Sequence, residues 1–182
     1  MLAVVLLGLL ATPPDVVLHS EPSPAAPIVA RSIPADALRT IQNTQLGAAV
    51  YTIRGGWYYV SIGAKQKAWL HKTPKMVFHL YRDLLTRNVP VFTSRWDGRI
   101  YGTLGHNPST SPPLHRAVRS GKSVAVKILA NRRHQGGLWF QIETPVADQC
   151  GALPPRVRPT KGWIPAYAPD GEPNLWFASD GC

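Results

Sequence analysis

The sequence predicts a mainly β fold in which two small barrels follow one another, joined by a short helix. Three observations lead there. Gly and Pro are abundant, at 15 and 18 of 182 residues, which favours short strands joined by turns over long helices. The runs "WYYVSI" and "LWFQIET" read as strands that follow Gly-Gly turns. One pattern also occurs twice: "GGWYYVSIGAKQKAWLHK" from Gly55, then "GGLWFQIETP" from Gly136 with "GWIPAY" resuming at Gly162. The length suits one domain or two small ones, and the 45% of apolar residues is enough to build cores.

Residues 1–27 read as a signal-like leader followed by a linker. Leu2 to Ala11 has the composition of the apolar centre of a secretory signal. No Lys or Arg precedes it and no small-x-small cleavage site follows, and the competing reading is a buried strand or helix. Ser20 to Pro27 is polar and Pro-rich, as a linker would be.

The first barrel is expected over 28–73. "AAVYTI" (Ala48–Ile53) is a strand, Gly55-Gly56 a turn, "WYYVSI" the next strand and "AWLHK" the one after. Alternation puts Trp57, Tyr59 and Ser61 on one face and Tyr58, Val60 and Ile62 on the other. A linker helix is expected over 74–88. Met76, Val77, Leu80, Tyr81, Leu84 and Leu85 recur at helical spacing, with Thr73 as N-cap, Pro74 at the first helical position and Asn88 at the end.

The second barrel, with inserted loops and a C-terminal tail, is expected over 89–182. It opens on "VPVFTSRWDGRIYGTLG", passes a polar Pro-rich stretch at Asn107–Pro113, and continues through "SVAVKILA", a turn near "NRRHQGG" and "LWFQIET". Trp57 then corresponds to Trp139 and Tyr58 to Phe140, and Pro145 to Lys161 is an inserted loop.

That loop holds Cys150, and Cys182 is the last residue. Their spacing matches no metal motif. A Cys150–Cys182 disulfide in an oxidising compartment is expected, stabilising by about 3–4 kcal/mol on the chain-entropy model. The net charge is +10, which draws polyanions such as nucleic acid, anionic wall polymer or acidic headgroups. The basic residues are scattered, however, and the tightest cluster is Arg132-Arg133 beside His134.

No phosphate loop, dinucleotide fingerprint, HExxH or Gly-x-Ser-x-Gly elbow occurs. Asp97 reads as a turn former and Glu143 as a solvated strand residue. The expectation is a chain that is no enzyme and uses no cofactor or metal.

"GGWYYVSI" followed by "AWLHK" resembles bacterial SH3 domains, in which a Gly-Trp-Tyr strand leads through a hairpin to a Gly-Trp-Val/Ile strand. "LWF" and "GWIPAY" resemble the tryptophan strand and the Gly-Tyr-Ile-Pro-Ser-Asn-Tyr segment of SH3 domains generally. The resemblance, to exported tandem bacterial SH3 proteins, implies two SH3-like barrels and a peptide groove lined by Trp139, Pro165 and Tyr167. Tyr167 follows Pro165 by two positions where the general pattern has three. Trp57 matches in the first unit, but "AWLHK" offers neither the Pro nor the Tyr. Where SH3 grooves carry acidic residues this chain has "SRWDGR", with Arg95 and Arg99 around Asp97, which implies an anionic or mixed-charge ligand.

The functional expectation is an exported binding module, periplasmic or secreted, that recognises cell-wall peptide or an envelope protein. The alternative is a protein that binds nucleic acid or anionic wall polymer through its basic surface. "ALPPRVRP" (Ala152–Pro159) further resembles a polyproline ligand that could dock on such a groove.

Overall fold

The computed structural model divides into two compact units, Met1–Leu84 and Leu85–Cys182. The residues described are 5–13, 15–42, 45–63, 65–86, 91–93, 96–109, 124–144 and 159–177. The fold is mainly β, with antiparallel sheets and one short helix.

The first unit contains β1 (Gly8–Ala11), β2 (Asp15–His19), β3 (Ile28–Ser32), β4 (Leu38–Gln42), β5 (Gln45–Arg54), β6 (Trp57–Ser61), β7 (Lys67–His71) and β8 (Val77–Leu80). Their order across the sheet is β3-β2-β7-β6-β5-β1-β8, with β4 also paired to β5. The second unit contains β9 (Val91–Thr93), β10 (Ile100–Thr103), β11 (His106–Ser109), β12 (Ala125–His134), β13 (Gly137–Thr144), β14 (Thr160–Pro165) and β15 (Leu175–Phe177). Their order is β11-β10-β14-β13-β12-β9-β15. Strand for strand this is the order of the first unit without β4.

The repeat extends to register. Val50 faces Val60 and Thr52 faces Tyr59, leaving Tyr51 as the extra residue of a bulge. In the second unit Ile128 faces Ile142 and Ala130 faces Gln141, leaving Leu129 as the extra residue. A bulge at this place turns the long strand and increases its twist. The hairpin beyond it closes on a two-residue turn, Gly55-Gly56 (φ 54 and 83) or Gln135-Gly136 (φ 48 and 78). Two positive φ values in succession make the turn whose twist matches paired strands.

The expected alternation holds. Tyr58, Val60, Ala68 and Leu70 join Leu10, Leu18, Ala48 and Val50 in the first core, and Ile62 packs against it. In the second unit Phe140, Ile142 and Ile164 are buried, each one residue out of step with Trp139, Gln141 and Trp163. Two buried polar side chains there are satisfied. Thr144 Oγ1 donates to the Ala125 carbonyl at 3.3 Å, and Asn174 Nδ2 donates to the Pro165 carbonyl at 2.9 Å.

Three expectations are corrected. The apolar run assigned to the leader supplies β1, which lies between β5 and β8, with Leu6, Leu9 and Leu10 fully buried. β2, from the same segment, pairs with β3 and β7. The first unit therefore begins well before residue 28, because sheet and core are incomplete without these strands. Second, the helix expected over 74–88 shrinks to α1 (Tyr81–Leu85). Thr73–Met76 is a turn closed by the Met76 N–H on the Thr73 carbonyl at 3.0 Å, and Pro74 occupies the turn position that prefers proline. Val77–Leu80 then lies along β1, whose free edge outcompetes the helical periodicity. Third, closed barrels are not found. The strands that end each order, β3 and β8 or β11 and β15, do not pair with one another among the described residues. At finer scale, β11 occupies the start of the expected Pro-rich loop, and β14 takes Thr160 and Lys161 from the expected insertion.

The position of β1 yields a test. Leu10→Ala removes a fully buried side chain from the first core and should cost about 2–5 kcal/mol, read as a lower urea midpoint for the first unit. A stability change under 0.5 kcal/mol, the usual range for surface substitutions, would place β1 outside the core.

Candidate aromatic binding surface

The outward face of each unit is built on its bulged hairpin. In the second unit Trp139 of β13 faces Arg132 on β12 and Pro165 on β14. Gln141 faces Trp163, which faces Tyr101 on β10. Directly opposed residues share a face, so Tyr101, Trp163, Trp139 and Pro165 stand together on the side away from Phe140 and Ile142. All four are half-buried. Tyr101 meets Trp139 edge-on, with ring centroids 5.3 Å apart and planes at 90°. His134 adds a second edge contact at 6.4 Å. The T-shaped arrangement sets the positive edge of one ring against the negative face of the other.

The first unit repeats the device. Trp57 faces Arg54 and His71, and Tyr59 faces Trp69, which faces His19 on β2. His19 thus holds the place of Tyr101, and it meets Trp57 at 5.3 Å and 90°. His71 holds the place of Pro165 and meets Trp57 at 4.9 Å and 62°. In contact with both imidazoles, Trp57 is only 8% exposed. Tyr59 and Trp69 lie 4.9 Å apart at 36° and are half-buried where Trp57 is buried, so they form the more open part of this face.

The expected groove residues separate accordingly. Trp139 and Pro165 are neighbours across two strands. Tyr167 lies just past β14, bridged to Pro173 and half-buried. Burial pushes its phenol up to about 12, opposed in part by the Arg133 guanidinium. Trp57 has the matching register but is enclosed. Arg99 is exposed and belongs to a turn, in which its N–H donates to Asp97 Oδ1 at 2.9 Å and its guanidinium lies 3.7 Å from Asp97 Oδ2. Trp96 Nε1 donates to the Arg99 carbonyl at 2.9 Å and fastens that turn to the core. Asp97 is thus the turn former expected, and the exposed cation facing Trp139 is Arg132, while Arg133 faces Leu138 on the other side of the hairpin. Glu143, expected as a solvated strand residue, faces Lys161 and pairs with it at 3.3 Å. Arg95, Cys150, Cys182 and the "ALPPRVRP" loop up to Arg158 lie outside the described residues.

Sequence reasoning missed His19 and Tyr101. The signal was present only as a strand four to five residues long ahead of each hairpin, and one of the two had been assigned to a leader. Among the described residues no group of three or more His, Cys, Asp or Glu is placed to hold a metal ion, and no helix is long and apolar enough to cross a membrane. No protein-family model matches the chain, and no curated protein or solved structure is significantly similar to it.

Tyr167 gives a pH test. Its raised folded-state value means that the folded and unfolded chains are both neutral here below about pH 10. Stability is lost as pH rises from about 10 to about 12, because the unfolded phenol ionises first. Tyr167→Phe should remove that part of the alkaline loss, measured as urea midpoint against pH. An unchanged alkaline slope in the variant would show that Tyr167 ionises as freely folded as unfolded.

Proposed function

We propose that the chain is a non-catalytic binding protein of two SH3-like units, which recognises cell-wall peptide or an envelope protein through the aromatic shelf around Trp139. The observation that carries this reading is the repeated edge-on ring pair. Both units hold a tryptophan at one register by a ring from the equivalent strand, two places away in the sheet, and in the second unit the tryptophan is half-buried beside Pro165.

A half-exposed indole braced on its edge presents a rigid apolar surface at little entropic cost, which suits an extended ligand. Arg132, which faces Trp139, favours ligands with carboxylates over basic Pro-rich ones. Shared strand order and a shared bulge in the two units support SH3-like architecture, and a wall ligand implies a periplasmic or secreted location. The reading does not treat residues 1–27 as removable, since β1 and β2 are parts of the first sheet.

A second reading rests on the exposed Arg132-Arg133 pair and the +10 charge: binding of nucleic acid or anionic wall polymer by charge. Co-sedimentation with purified wall sacculi over a salt series separates the two. The shelf reading expects salt-resistant binding that Trp139→Ala weakens about tenfold or more, a loss within the hot-spot range. The charge reading expects binding that falls steeply with salt, weakens in Arg132→Ala/Arg133→Ala, and ignores Trp139→Ala.

A further inference from the structure

The first unit contains a cleft beside its own aromatic face, with which it shares His19 and His71. β2 and β7 pair at Leu18↔Leu70 and His19↔Trp69. Towards Asp15 no further pairing joins the two strands, and β2 is bulged against β3 over the same stretch. The gap opens a cleft of about 570 Å³, within the size range of small-molecule and peptide sites.

Its floor is apolar, with Val16, Leu70 and Met76 each at most 5% exposed. Its rim is polar: Asp15, His19, Arg31 and His71. Arg31 adjoins Ser32, the residue that faces Asp15. Even so, Arg31 and Asp15 form no ion pair, and neither side chain has a hydrogen-bond partner among the described residues. His19 is held in place by Nδ1, which donates to the Ala26 carbonyl at 2.9 Å. His71 is steadied against Trp57 at 4.9 Å.

We infer that this cleft binds the C-terminal carboxylate of a short peptide whose last residue is apolar. Arg31 supplies a fork of donors matched to a carboxylate, with the His71 and His19 imidazoles on the same rim. Asp15 is the acceptor for a peptide N–H, and the apolar floor takes the terminal side chain. The rim carries one carboxylate and one guanidinium that do not pair with each other, so the Arg31 fork is available to a carboxylate of the ligand. The site is independent of the shelf around Trp139, and either could exist without the other.

The test is titration of the full chain with N-acetyl-leucyl-leucine and with its C-terminal amide, followed by NMR shifts of the His19 and His71 rings. The acid should bind saturably and about tenfold or more tighter than the amide. Arg31→Gln, an exposed position whose change leaves the core intact, should abolish that preference, and Trp139→Ala should leave it unaltered. Absence of saturable acid binding, equal binding of acid and amide, or a preference surviving Arg31→Gln would overturn the site. Loss of binding in Trp139→Ala would also overturn it, by placing the peptide on the other unit.

Discussion

Everything on the aromatic faces depends on one constraint, the single-residue bulge that ends regular pairing in the long strand of each unit. It lies at Tyr51 in the first and Leu129 in the second. Beyond it the strand pairs in a shifted frame, so that Arg54 and Arg132, not their neighbours, stand opposite the tryptophans. Without the bulge, each residue past that point would move to the other face of the hairpin. Trp57 and Trp139 would then lose their cationic neighbours.

Close backbone approach completes the arrangement in the second unit. A Cβ on Gly162 would collide with Ile100 Cγ2 and come within 2.8 Å of the Tyr101 carbonyl. Glycine there lets β10 lie against β14, which brings Tyr101 to the edge of Trp139. The first unit has Ala68 at the corresponding register. Its own close approach is at Gly8, where a Cβ would strike the His79 carbonyl and separate β1 from β8. Each unit has thus used a small residue where two strands meet most tightly, and the choice differs with the side chains around it.

Much of this was legible in the residues. The strand faces, the Gly-Gly turn and the correspondence of Trp57 with Trp139 follow from period and spacing alone, since a strand alternates whatever its partners. The role of residues 1–27 was not legible. An apolar run of ten residues has the same composition in a signal peptide and in a doubly flanked strand, and the pairing that separates the two is long-range. The helix failed for a related reason: Val77, Phe78 and Leu80 satisfy a helical period locally, but they meet an open strand edge on β1. For the site, Trp139 and Pro165 were reachable by pattern. His19 and Tyr101 were not, because the equivalence of β2 and β10 appears only when both sheets are laid out strand by strand.

The central claim is that the chain builds the same braced tryptophan twice. The most direct measurement is a set of cross-ring nuclear Overhauser effects in the intact, isotope-labelled protein. The account predicts contacts from His19 to Trp57 and from Tyr101 to Trp139, together with backbone contacts between β1 and β5. Contacts within one pair and none in the other, or a β1 segment without contacts to β5, would contradict it.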